Sequence, residues 1–199
     1  PGQFMEIGED ESGSYILNAD DLCMAPFIDL VCQAGADSLK IEGRAKTMYY
    51  VASVTSAYRQ ALDAFLAAPD NFQCPDAVLD ELTRISHRRY SPGFFFGRQN
   101  ARQNTRQGGY IRDWEFVGVV ESWQDGVAQC TQRGRIEAGK PLEILTPTGQ
   151  VLRLAPEWLK NEEGESITAT PHAMMRYTMP VEEPVPAHSL IRRSTGEKA

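Results

Sequence analysis

Residues 37–44, Asp-Ser-Leu-Lys-Ile-Glu-Gly-Arg, restrict the fold more than any other stretch, because they read as a short strand that ends in charges and turns on a glycine. Side chains alternate along an extended strand, so Leu39 and Ile41 take one face while Lys40 and Glu42 share the other. A half-buried strand at a surface would simply turn that polar face to water. The flanks add a constraint. Residues 26–34 read as a helix closed by Gly35, and an amphipathic helix opens near Thr47, so the order is helix, strand, helix. That is how a parallel α/β unit reads. In a barrel of such units the chemistry sits at the C-terminal strand ends, which makes Lys40, Glu42 and Arg44 candidate catalytic residues.

From Thr47 onward Tyr50, Val51, Val54, Ala57, Tyr58, Ala61, Leu62 and Phe65 follow the spacing of one helical face, and the helix is expected to end before Pro69. A second helix opens at Pro75 or Asp76, turns Val78, Leu79, Leu82 and Ile85 inward, and stops near His87, which reads as a surface or capping residue. Residues 1–13 read as a loop or short hairpin, followed by a strand ending at Leu17. Beyond residue 87 the helical period disappears. Residues 88–109, rich in Arg, Gly, Gln and Asn, read as a linker. Short strands are then expected at 114–121, 127–132, 142–145, 151–154, 167–169 and 189–192, parted by turn signals such as Asp125-Gly126 and Pro180. Met174 and Met175 read as core or turn packing. The fold class is therefore α+β: a partial α/β region over 1–87, a linker over 88–109, and a small β-barrel or sandwich over 110–199.

A net charge of −7 argues against nucleic-acid binding through bulk charge. The distribution differs from the total. Residues 84–112 carry Arg84, Arg88, Arg89, Arg98, Arg102, Arg106 and Arg112 with no Asp or Glu, interleaved with Tyr90, Phe94, Phe95, Phe96 and Tyr110. Such a segment either grips phosphates and stacks on unpaired bases, with Arg88, Arg89, Arg98, Arg102 and Arg106 as the RNA-binding candidates, or packs its phenylalanines as an anchor under solvated arginines. Cys23, Cys32, Cys74 and Cys130 show no paired spacing, which argues against a zinc ribbon and a disulfide framework. Cys32 and Cys130 read as buried thiols. Cys23 instead follows the polar loop that contains Asn18, Asp20 and Asp21, on the rim expected for Glu42. No G-x-S-x-G, H-E-x-x-H, Walker or G-x-G-x-x-G motif occurs. No apolar run long enough to span a membrane and no leader pattern is present, and the opening Pro1 suggests a piece of a longer protein.

Taken together, Asn18-x-x-Asp-Leu-Cys23, Ser38-Leu-Lys-Ile-Glu-Gly-Arg44, Tyr49-Tyr-Val-Ala52, Ala57-Tyr-Arg59, Ser86-His-Arg88 and Gly93-Phe94 resemble the peptidase U32 family, the collagenase-like proteases, and most closely its tRNA uridine-hydroxylation members. The resemblance implies a TIM-like (β/α) barrel, of which this chain supplies the last strands and helices. It also implies a C-terminal β-barrel, more weakly similar to the second-domain barrel of translation factors. Related members hold an iron–sulfur cluster on four cysteines, and Cys23 stands where the last would be, whereas Cys32, Cys74 and Cys130 do not match. A cluster is thus implied for the intact protein and not for this chain alone, which is expected to be inactive by itself. The implied activity is oxygen-independent hydroxylation of tRNA uridine in the cytoplasm, away from any membrane. A collagenase-like peptidase and a noncatalytic RNA- or protein-binding module are the alternatives. The implied partners are tRNA or another RNA, the missing N-terminal part of the barrel, and a second copy through exposed strand edges.

Overall fold

Thr47 starts the longest element of the N-terminal region: its hydroxyl accepts the Tyr50 N–H at 3.2 Å and caps helix α2 (Met48–Ala67). The computed structural model describes residues 7–10, 13–16, 20–97 and 110–196. Strands β1 (Ile7–Asp10) and β2 (Gly13–Ile16) form an antiparallel hairpin, and β3 (Asp21–Leu22) leads through a 3₁₀ turn into α1 (Ile28–Gln33). Gly35, at φ +82°, closes α1 by donating its N–H to the Cys32 carbonyl. Helix α3 (Asp76–Thr83) precedes β4 (Tyr90–Ser91), which pairs with β3 in parallel. The buried line of α2 is Tyr49, Ser53, Val54, Ala57 and Ala61. Tyr50, Tyr58, Leu62 and Phe65 flank it half-buried and Val51 is exposed, because small residues let α2 approach Ala25, Ile28, Val78 and Leu82 closely.

Three expectations change here. Residues 38–43 are extended but irregular, with no ladder partner among the described residues. Among the described residues the one parallel pairing is made between residues 21–22 and 90–91, so the segment lacks there the neighbour that would make it a strand. Residues 90–91, expected in the linker, carry that second strand. His87 is buried and not a surface cap. Its backbone exchanges two hydrogen bonds with Ile111, and its ring stacks on Tyr90 at 4.3 Å.

The C-terminal region is one antiparallel sheet of eight strands: β5 (Trp114–Gln124), β6 (Val127–Gln132), β7 (Leu142–Leu145), β8 (Val151–Leu154), β9 (Leu159–Lys160), β10 (Ser166–Ile167), β11 (Arg176–Pro180) and β12 (Leu190–Ser194). The order is β10-β9-β11-β6-β5-β12-β7-β8, with β10 and β8 as edges, so the expected closed barrel is an open sheet among the described residues. Asp125 and Gly126, both at positive φ, make the tight turn between β5 and β6. Strand β11, which the sequence did not suggest, follows directly on the turn that holds Met174 and ends on the proline read as a turn. Tyr177 and Met179 are its buried residues, whereas Met174 is exposed. The sheet encloses Val117, Val120, Cys130, Ile136, Ile144, Leu159, Tyr177, Met179 and Ile191.

The two regions meet over Arg192 on β12, which is fully buried. Its guanidinium donates to both Glu81 carboxylate oxygens, at 2.6 and 2.8 Å, from α3. It also donates to Glu143 of β7 at 3.1 Å and to the Tyr49 hydroxyl of α2 at 3.4 Å. Glu143 is shared with Arg153 at 3.0 Å and Arg84 at 3.4 Å. Phe116 stacks flat on Tyr49 at 5.5 Å, and Val119 and Leu190 join the helical core. No helix among the described residues is long and apolar enough to cross a membrane.

Replacing Arg192 by Ala takes both close hydrogen bonds from the buried Glu81 carboxylate and one from Glu143, and is expected to cost about 3–5 kcal/mol, read as a lower urea midpoint. Burial pushes the Cys130 thiol up to about 12. The thiolate is the reactive form, so Cys130 should resist iodoacetamide at pH 8 in the folded protein and react once it is unfolded, as read by mass spectrometry.

Candidate functional site

The pairing of β3 with β4 builds a rim from residues distant in sequence. Asp21 donates its N–H to the Arg89 carbonyl at 2.8 Å, and Cys23 donates to the Ser91 carbonyl at 2.9 Å. The Asp21 carboxylate accepts the Arg88 N–H at 2.9 Å. Asp20 holds one carboxylate oxygen buried without a hydrogen-bond partner. Cys23 is buried, with its sulfur 3.9 Å from the Tyr58 hydroxyl, which itself accepts the Met24 N–H at 2.8 Å. Burial pushes the Cys23 thiol up, against the lowering effect of hydrogen bonds from Ala25 and Tyr58. Burial, and then the neighbouring acidic groups led by Asp21, push the Tyr50 phenol up.

Of the three catalytic candidates, Lys40, Glu42 and Arg44 are all exposed. Glu42 accepts the Arg44 N–H at 2.8 Å and so braces the turn in which Lys46 donates to the Gly43 carbonyl at 3.0 Å. Lys40 makes no ion pair or hydrogen bond among the described residues. The structure thus places Glu42 in the turn that leads to Lys46 and α2, while Asp21 and Cys23 are held by the β3–β4 pairing.

Among the RNA-binding candidates, Arg98, Arg102 and Arg106, like Asn18, lie outside the described residues. Arg89 is exposed, and Arg88 has its guanidinium 5.2 Å from the Tyr110 ring. Lys46 lies 4.6 Å from the same ring and 4.9 Å from Tyr50, and Arg112 lies 5.8 Å from Tyr110. The phenylalanines divide the two readings of the segment between them. Phe96 sets its edge on Phe27 at 4.8 Å and on Phe95 at 5.1 Å as an anchor, whereas Phe94 is 73% exposed. Sequence reasoning missed Lys46 and turned Tyr50 inward. The available signal was the position of Lys46 between Gly43 and the Thr47 cap, where a side chain must leave the helix start.

An iron–sulfur cluster is held by several converging thiolates. Among the described residues no group of three or more His, Cys, Asp or Glu side chains is arranged to hold a metal, and Cys23 alone stands on the rim. These residues do not by themselves fit a cluster. Two clefts of about 680 and 790 Å³ lie in the β region, the first beside Arg135 and His172 and the second beside Lys140 and Arg193; neither is lined by the rim residues.

The chain is 32% identical over 204 residues to tRNA hydroxylation protein P of Escherichia coli, covering 99% of this chain and 44% of that protein. It is 31% identical over 173 residues to tRNA hydroxylation protein P of Haemophilus influenzae, covering 85% of this chain and 37% of that protein. It is also 28% identical over 188 residues to a collagenase of Porphyromonas gingivalis, covering 92% of this chain and 52% of that protein. The chain therefore spans about half the length, or less, of these relatives. Among solved structures, the C-terminal domain of a Geobacillus thermoleovorans putative U32 peptidase aligns with a TM-score of 0.38 at 23% identity, over 40% of this chain and 99% of that one. A family model for peptidase family U32 matches residues 3–105, and one for the peptidase family U32 C-terminal domain matches residues 112–192. The first of these alone covers half of the chain, and this protein belongs to peptidase family U32.

Proposed function

We propose that this chain is the C-terminal part of a protein that hydroxylates a tRNA uridine. The observation that carries the reading is the 32% identity to tRNA hydroxylation protein P of Escherichia coli over nearly the whole chain, helical region and sheet together. In this reading residues 37–44 are a strand of a TIM-like (β/α) barrel completed by chain outside the described residues. Lys40, Glu42 and Arg44 then face its active centre, and Arg88, Arg89, Arg98, Arg102 and Arg106 carry the tRNA backbone. Cys23 would be one of several ligands to an iron–sulfur cluster, the others lying elsewhere in the protein. The work would be done in the cytoplasm.

The collagenase relative supports a second reading, peptide hydrolysis. Thiol proteolysis needs a thiolate with a base in reach. Here the Cys23 thiol is raised by burial and touches Tyr58. His87 is buried, with Nδ1 2.6 Å from the Arg88 carbonyl, so that nitrogen donates and does not serve as a base. The described residues therefore favour the RNA reading.

Deleting the gene for the full-length protein should remove a hydroxylated uridine from bulk tRNA, measured by mass spectrometry of nucleosides, and the wild-type gene should restore it. Glu42→Ala should fail to restore it while changing stability by about 0.5 kcal/mol or less, as an exposed substitution does. Unchanged nucleosides together with gelatin cleavage by the purified protein would overturn the proposal in favour of the peptidase.

A further inference from the structure

Lys46, Arg88 and Arg112 come from three separate segments and converge on one exposed tyrosine. Their charged groups lie 4.6, 5.2 and 5.8 Å from the Tyr110 ring centre, and Lys46 is also held against Tyr50 at 4.9 Å. Cation–π attraction explains why each cation tolerates the ring, but it does not neutralise any of them. Like charges gathered at a surface repel, and proteins ordinarily offset them with carboxylates. Asp21 accepts the Arg88 N–H and Glu42 the Arg44 N–H, and neither forms an ion pair with Lys46 or Arg112 among the described residues. Among the described residues neither Lys46 nor Arg112 makes an ion pair, and the Tyr110 hydroxyl makes no hydrogen bond. Lys46 and Arg112 are thus held at one exposed ring, and the Tyr110 hydroxyl supplies a donor beside them.

We propose that Lys46, Tyr110 and Arg112, with Arg88 beside them, form a subsite for one phosphodiester of the RNA strand, next to Glu42 and Cys23. Two cations and a phenol hydroxyl match the charge and acceptor oxygens of a backbone phosphate. The subsite rests on the RNA reading above and adds its location: the strand is held where the Glu42 turn, the start of α2 and the entry to β5 meet. Lys46 lies outside the stretch that the sequence pattern selected for RNA binding.

The test uses the full-length protein and an unmodified tRNA transcript, with affinity measured between 50 and 200 mM salt. Lys46→Gln combined with Arg112→Gln removes two phosphate-facing charges and should make the log-log salt slope shallower by about 1.4 to 1.8. The affinity lost across that salt range should then be about ten-fold smaller than in the wild type. A control pair of equal charge in the β region, Lys140→Gln with Lys160→Gln, should leave the slope unchanged. If the first pair also lowers the melting temperature, Arg112→Gln alone, at an exposed position, should still show about half the slope change. Wild-type binding with identical slopes in both pairs and in Arg112→Gln would overturn the subsite and leave the RNA reading standing. No wild-type binding at 50 mM salt would overturn both.

Discussion

A fully buried guanidinium joins the halves of this molecule, and the rest of the arrangement depends on it. Burial by itself disfavours the charged form of Arg192, and the hydrogen bonds and charges of Glu81 and Tyr49 hold the proton on. Such a group is stable only when all its donors are aimed correctly, so it is directional in a way that an apolar patch is not. Glu81 comes from α3, Glu143 from β7 and Tyr49 from α2, so satisfying one side chain fixes three elements against β12. Val119, Leu190 and Phe116 then supply apolar contact across a seam whose register is already set.

That register reaches the rim through the chain itself. Helix α3 ends beside Arg84, whose carbonyl accepts the Tyr49 hydroxyl at 2.8 Å and whose guanidinium lies 5.0 Å from the Trp114 ring at the start of β5. Three residues further on, His87 and Ile111 exchange backbone hydrogen bonds at 3.3 and 2.8 Å. Both ends of the 88–109 segment are therefore clamped to one point. Arg88 leaves this clamp on one side and Tyr110 and Arg112 enter it on the other. Their meeting at a single ring follows from the seam below them.

What the sequence revealed follows the range of the forces involved. Strands β6, β7 and β8 were legible to the residue because alternation and turn residues are local signals, as was the Thr47 cap. Strands β9 and β10, two residues each, depend on pairing partners, and so does β11 behind Met174. Glu81, Glu143 and Arg192 could not be recognised as a core. In one dimension a lone charge reads as surface, and the three are brought together only by tertiary packing. Residues 37–44 failed in the opposite sense: their alternation is that of a strand, but alternation selects a conformation and only a neighbour makes a sheet. The site was legible in part. Cys23 does follow directly on the β3 pairing, whereas Lys46 was hidden because its ring partners come from α2 and from beyond the linker.

On the RNA reading proposed above, the overall charge of −7 bears on where a polyanion would lie. On a uniformly basic surface it would gain by binding almost anywhere, and its orientation would be weakly determined. On an acidic protein most of the surface would repel it, and Lys46 and Arg112 at the Tyr110 ring would be a favoured place. A backbone amide does not cancel the charge of the carboxylate that accepts it, so Asp21 and Glu42 would hold phosphates away from the turns they brace and narrow the path further.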